Sequence, residues 1–370
     1  MEMYARLGEH FKFVATERVP QERLDMGYLD MSTLYPFSLN TYSHETEYQR
    51  ALQLGFESDV VIIGSAPMVF IQERLEVNKL TFHYSERIFK KGRHQALFPR
   101  TMAKLFLRHH RYMRKSVYML CASAYTAADF NLVGLYRNKT FKWGYFPEVR
   151  EHNLPTLFAC KKDNPVSKLL WVGRFIKWKH PDDAIMVAHR LKQMGIAFSL
   201  DLIGTGPLEP MLRKMIDQYD LSKEVCLLGA MSPDEVRDHM ERADVFLFTS
   251  DFNEGWGAVL NEAMNSACAV VASHAIGAVP FLLENNENGK IYRNGDIDHL
   301  YLCVKEVVES AELRRTLGEN AYNTVSTMWN PIIATERILA LSQSLIEGEP
   351  ISYEEGPCSK ASNISQNFSY

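Results

Sequence analysis

Residues 244–264 read DVFLFTSDFNEGWGAVLNEAM. An unbroken run of apolar, strand-forming residues, DVFLFTS, leads into a loop with two glycines, DFNEGWG, and then into helix-forming AVLNEAMNSA. A strand without polar alternation is one covered on both faces, the condition of a parallel sheet between helix layers. In such sheets ligands bind beyond the carboxyl ends of strands, where loops meet helix starts. Gly255 and Gly257 let backbone amides approach an anion closely. Glu254 then stands at the mouth of a cleft and Glu262 lies within the helix, each able to accept hydrogen bonds from hydroxyl groups beside a bound phosphate. A plainer reading is equally open: one acid favouring a helix start and one ordinary surface glutamate.

The same strand–loop–helix unit recurs outward from this stretch. Apolar runs stand at 167–173, 197–204, 224–229, 243–250 and 268–273, with GKIYR (289–293) as one more, and in the first half at 11–16, 59–65, 80–85, 117–123 and 140–146. Helical patterns fall between them at 181–195, 207–220 and 232–243, the last opening on a Ser232/Glu235 capping box. Alternating strands and helices over 370 residues predict two α/β domains. Apolar periodicity lapses over 150–166, so the division expected is 1–160 and 161–325, a final helix over 326–346, and a polar, aperiodic tail, 347–370, expected to be disordered. The chain opens inside an apparent helix, EMYARLG, and the strand and glycine loop that normally precede such a helix are not in the sequence.

No apolar run approaches the ~20 residues that span a bilayer, and the charged N-terminus is unlike an export signal. Six scattered cysteines without a C-x-x-C pair suit a reducing cytoplasm and give neither a disulfide framework nor a metal site. The net charge of −4 conceals an asymmetry: residues 87–128 hold ten Lys or Arg and no Asp or Glu. Within the basic segment 87–115, FPRTMAKLFLRHHRYMRK (98–115) reads as a helix with a basic stripe and an apolar flank. It is either an ordinary domain helix with solvated cations or an attachment site for an anionic membrane surface. No nucleic-acid module accompanies the charge, so nucleic acid is not expected as a partner.

Two further loops fit an anionic ligand. LLWVGRFIKWKHPDDAI ends a strand in Gly173 and places Arg174 and Lys179 ahead of a helix, a planar fork and a compact charge suited to a diphosphate. SLDLIGTGPLEPML carries Gly204 and Gly206, with Glu209 where a dinucleotide fingerprint has its third glycine, so it reads as a tight turn near a ligand.

These motifs, in the order GRFIKWK, LIGTGPLEPML, CLLGAMSPDEV, DVFLFTSDFNEGWGAVLNEAM and HAIGAVPFLLENNENGKIY, make residues 169–340 resemble the nucleotide-binding half of the family 4 retaining glycosyltransferases. Glu254 and Glu262 reproduce that family's Glu-x(7)-Glu pair. The resemblance implies the GT-B architecture, two Rossmann-like domains facing across a cleft, here with the N-terminal domain short of its first strand. It implies transfer of a hexosyl unit from a nucleotide sugar to a glycan or lipid-linked acceptor, with retained anomeric configuration and no cofactor or catalytic metal. Glu254 would stand beside the donor sugar and Glu262 on the ribose hydroxyls. Arg174 and Lys179 would hold the diphosphate, helped by the amides of Gly255, Trp256 and Gly257, with Leu228–Ala230 near the base. Trp329-Asn330-Pro331 resembles the family's final crossover, in which the last helix returns to the N-terminal domain. The sequence departs from the pattern at Ala278 and Phe281, where relatives carry a glycine and an acid.

In the first half, YSERIFKKG and KWGYFPEV resemble enzymes of bacterial surface-polysaccharide assembly. Gly64, Ser65, His83 and Glu86 are cleft candidates there, although a core histidine and a surface acid read equally well. Two other functions share this architecture: a nucleotide-sugar epimerase, and a non-catalytic, membrane-docked binding protein derived from a transferase.

Overall fold

A computed structural model describes residues 1–21, 24, 29–162, 166–349 and 351–365. The chain divides into two units, residues 1–144 with 331–365, and residues 145–330. The division thus falls at Gly144/Tyr145 rather than at 160. The stretch 150–166, expected to be a break, contains a helix, Leu154–Lys162, that belongs to the second unit.

The described residues include twelve strands: β1 Phe13–Ala15, β2 Ser38–Asn40, β3 Val61–Ile63, β4 Thr81–Ser85, β5 Val117–Cys121, β6 Thr140–Lys142, β7 Ser167–Val172, β8 Phe198–Ile203, β9 Val225–Gly229, β10 Val245–Phe248, β11 Ala269–Ser273 and β12 Lys290–Tyr292. The second unit is a six-stranded parallel sheet in the order β12-β11-β10-β7-β8-β9. Its strands read as continuous apolar runs because alternate residues enter separate cores. Leu169, Trp171, Val245 and Leu247 pack on one face with the helices Pro181–Gln193 and Ile297–Glu309. Leu170, Phe246 and Phe248 pack on the other with Leu260, Met264 and Trp256. The predicted capping box is present: the Glu235 amide donates to Ser232 Oγ, and the Glu235 carboxylate accepts from the Ser232 amide at 2.8 Å.

The first unit has a four-stranded parallel sheet, β3-β4-β5-β6, while β1 and β2 pair as a separate parallel ribbon. The helix Pro331–Glu347 packs Ile338 and Leu341 against Leu80, Phe82 and Phe141 of this unit. The tail corrects one expectation. Residues 351–365 are ordered, with Cys358 and Ser359 buried. Lys142 donates its amide to the Ser359 carbonyl at 2.7 Å, and the Cys358 amide donates back to Lys142 at 2.8 Å. The reason is that β6 is a sheet edge, whose unpaired backbone groups favour an added strand whatever its side chains. Residues 350 and 366–370 lie outside the described residues.

The core of this unit contains an unusual pair. His83, in the middle of β4, is 2% exposed and its Nε2 has no hydrogen-bond partner. Its ring lies 4.8 Å, centroid to centroid, from that of His109, whose Nδ1 is 2.7 Å from the Tyr136 hydroxyl. Burial, with the nearby Arg108 charge, brings His109 down to about 3, and burial holds His83 well below 6.5. The unfolded chain binds a proton at each site near pH 6.5 and the folded chain does not. Stability should therefore be complete above pH 7 and decline as pH falls below 6.5, by about 1.4 kcal/mol per pH unit for each histidine. Urea midpoints at pH 7 and pH 5 check this, and equal midpoints would contradict the neutral burial of the pair.

Candidate functional site

The strand order brings two distant loops together. The chain runs β7 to β9 toward one edge of the sheet and then returns to place β10 beside β7. This reversal is the switch point at which open parallel sheets bind ligands. The loops leaving β7 and β10 are tied to each other. Trp171 Nε1 donates to Thr249 Oγ1 at 2.8 Å, and that hydroxyl lies 2.8 Å from the carbonyl oxygens of both Lys179 and His180. The Asp251 amide donates to the Trp178 carbonyl at 3.0 Å.

Lys179 and Glu254 consequently meet. Lys179 Nζ is 2.6 Å from Glu254 Oε2, which also accepts from Ser250 Oγ at 3.0 Å. The two side chains are only 14% and 11% exposed, so their attraction is less screened than a surface pair's. Arg174 is exposed on the loop that carries Lys179 and makes no ion pair among the described residues. Gly204 and Gly206 lie backbone to backbone with Gly173 and Phe175. Leu228 and Ala230 are exposed at the end of β9.

In the turn after Glu254, Gly257 has φ +90° and a Cβ there would lie 2.5 Å from the Phe248 ring, so the position requires glycine. The amides of Gly255, Trp256 and Gly257 donate to no acceptor among the described residues. The Trp256 side chain is core rather than cleft: it is fully buried and donates Nε1–H to Asn261 Oδ1 at 2.9 Å.

Glu262 follows on the helix Val259–Asn265. Burial raises its carboxyl above the usual range, while the charges of Arg237 and Arg150 pull it back. Arg237 is 6% exposed, donating to the Glu148 carbonyl at 3.2 Å and to Asn265 Oδ1. Asn265 in turn exchanges hydrogen bonds with the Arg150 backbone, and Arg150 pairs with Asp234, Asp238 and Glu241. Sequence reasoning missed Ser250 and this arginine network. Ser250 carried a usable signal, since it lies just past a strand and four residues before Glu254. Arg237 and Arg150 carried none, because their partners are far away in sequence.

The candidates in the first unit differ in their surroundings. His83 is enclosed in the core with His109, which removes it as a cleft residue. Glu86 pairs with Lys90 at 2.6 Å, the Gly64 carbonyl accepts from Arg108 at 2.6 Å, and Ser65 is exposed. Among the described residues one trio has metal-ligand chemistry: atoms of His180, Asp182 and Asp183 lie within 4.8 Å of one another. It opens the helix Pro181–Gln193, where acids suit the dipole. Burial pushes Asp183 up to about 6, and the Asp251 carboxylate holds His180 above the usual histidine value.

Residues 158–324, nearly the whole of the second unit, match the family model described as glycosyl transferases group 1. Over these residues the second unit is similar to the group 1 glycosyl transferases. Over 138 residues the chain is 34% identical to the amylovoran biosynthesis glycosyltransferase AmsK of Erwinia amylovora, covering 36% of this chain and 34% of that protein. Over 185 residues it is 33% identical to the putative colanic acid biosynthesis glycosyltransferase WcaL of Escherichia coli K12, covering 48% and 45%. The match thus spans less than half the length of either relative. Among solved structures, a glycosyltransferase from Rickettsia africae superimposes with a TM-score of 0.66 at 14% identity, over 94% of this chain and 93% of that one. HepE from Anabaena, in complex with UDP, gives 0.62 at 17% identity over 81% and 82%. These likenesses show the fold, an α/β chain of two Rossmann-like domains of the GT-B class.

Proposed function

We propose that the protein is a glycosyltransferase of bacterial polysaccharide or glycolipid assembly, moving a hexosyl unit from a nucleotide sugar to a glycan or lipid-linked acceptor with retention and without a catalytic metal. The observation that carries this reading is the 2.6 Å contact of Lys179 with Glu254 at the switch point of a unit similar to the group 1 glycosyl transferases. Arg174 and Lys179 supply positive charge where the leaving diphosphate gains negative charge, the task a divalent ion performs elsewhere. The free amides of residues 255–257 lie on the same loop as Glu254. In this reading Glu254 steadies positive character at the anomeric carbon. In a front-face reaction the bond from that carbon to the phosphate oxygen breaks as the acceptor oxygen bonds to the same face. The acceptor's proton passes to the departing phosphate, so no protein nucleophile takes part.

The ligand of HepE makes a UDP-sugar the first donor to test. Staphylococcus aureus TarM, with a TM-score of 0.57 at 19% identity, was crystallised with UDP and a GlcNAc-glycerol, which favours a polyol or glycan acceptor. Six free cysteines suit a cytoplasmic location. The test is turnover of UDP-, GDP- and ADP-sugars with EDTA present, with product anomers read by NMR. An inverted product, or loss of turnover restored by a divalent ion, would overturn the corresponding part of the reading. Glu262→Gln should raise KM for the donor about tenfold and leave kcat nearly unchanged, as expected of a ribose contact made equally in ground and transition states. A fall in kcat at constant KM would remove Glu262 from that role.

A further inference from the structure

The basic segment separates into two sets of cations. Five are held by the fold: Arg87 by buried Asp129, Lys90 by Glu86, Arg108 by the carbonyls of Gly64 and Ala66, and Arg111 and Lys115 by Glu76. The other five, Lys91, Arg93, Arg100, Lys104 and Arg114, are exposed and form no ion pair among the described residues. Interleaved with the free cations are large apolar side chains that the fold leaves in solvent: Leu97 at 82%, Phe98 at 53%, Phe106 at 54% and Leu107 at 71% exposure. On the helix Pro99–Arg108, Leu105 is buried and Met102 packs on the core. Arg100, Lys104 and Leu107 follow one another at helical spacing on the outward side.

Solvated cations alone need no explanation, but exposed leucine and phenylalanine among them do, since a contiguous apolar patch marks an interaction surface. Free cations beside exposed apolar groups match a partner that is anionic at its rim and apolar just beneath. A lipid leaflet has that layering; a nucleic acid does not. We propose that this surface docks on an anionic bilayer, with Leu97, Phe98, Phe106 and Leu107 entering the headgroup–acyl boundary and the five free cations meeting lipid phosphates. No helix among the described residues is long and apolar enough to cross a membrane, and this docking needs none. The inference stands apart from the transfer reaction, because lipid binding is read without donor or acceptor.

The test is flotation of the full chain with vesicles of phosphatidylcholine alone and of phosphatidylcholine with phosphatidylglycerol. The protein should float with the anionic vesicles only, and less as salt rises. Arg100→Gln/Lys104→Gln should weaken partitioning roughly thirtyfold. Leu97→Ser/Leu107→Ser should weaken it at least about tenfold with every charge intact. All four residues are exposed, so an unchanged unfolding midpoint verifies that both variants are folded. Equal binding to the two vesicle types, or full binding by either folded variant, overturns the proposal. So does a wild-type dimer in sedimentation velocity that Leu97→Ser/Leu107→Ser dissociates, since the patch would then belong to a second copy.

Discussion

Glu254→Gln should lower kcat for glycosyl transfer by about two to three orders of magnitude, the loss typical when one preorganised charge facing a developing opposite charge is removed. The substitution isolates charge from shape. Glutamine keeps an oxygen to accept from Lys179 Nζ, now at 2.6 Å, and from Ser250 Oγ, now at 3.0 Å. What goes is the negative charge that the proposed reaction sets beside the anomeric carbon. Because Lys179 is itself only 14% exposed, leaving its cation uncompensated should also cost roughly 1–2 kcal/mol of stability, less than for a fully buried pair. Steady-state kinetics and a thermal melt separate the two effects: kcat should collapse, KM for the donor should change little, and the fold should survive. A folded variant with kcat within about threefold of wild type would show that Glu254 is only a structural partner of Lys179.

Legibility in the sequence followed how each element is stabilised. The strands of the second unit stood out because both of their faces are buried, as at Leu169, Leu170 and Trp171, and such runs leave a compositional mark. The ribbon strand Ser38–Asn40 left none: it is three residues long, half-exposed, and held by backbone pairing with Phe13–Ala15. The ordered tail at 356–361 was misread for the same reason, since its place is set by the free edge of β6 rather than by its own apolar content. At the site, Glu254, Lys179 and the glycines announced themselves through loops that follow strands. That Lys179 and Glu254 touch is a consequence of strand order, which places β10 beside β7. The Arg237–Asn265–Arg150 network was illegible because each member reads alone as an ordinary polar residue. His83 was ambiguous for a related reason: a histidine in an apolar strand looks the same whether it faces a ligand or another histidine.

Gly204→Ala should be the most disruptive single-methyl change in the second unit. A Cβ at this position would lie 1.9 Å from the Gly173 carbonyl oxygen and 2.9 Å from its carbon, at a φ of +141°. The obstacle is backbone, so no side-chain rotation relieves it. The Gly204 amide is also fixed, donating to the Gly229 carbonyl at 2.8 Å, while the Gly173 amide donates to the Ile203 carbonyl at 3.0 Å. The β7 and β8 loops must therefore separate, at a cost of about 3–5 kcal/mol from overpacking and positive-φ strain together. That is a large share of a typical domain's stability. Gly195→Ala is the control: it too has positive φ, +68°, but a Cβ there meets nothing within 4 Å, so it should cost only about 1–2 kcal/mol. Four of the five tryptophans, Trp171, Trp178, Trp256 and Trp329, lie in the second unit and Trp143 in the first, so fluorescence in urea reports mainly the unfolding of the second unit within the full chain. Any Gly204→Ala protein that stays folded should lose donor binding, because moving the loop after β7 withdraws Lys179 from Glu254. Equal unfolding midpoints for the two alanine variants would mean that the close approach of Gly173 and Gly204 does not exist, and with it would go the geometry that brings the cation to the acid.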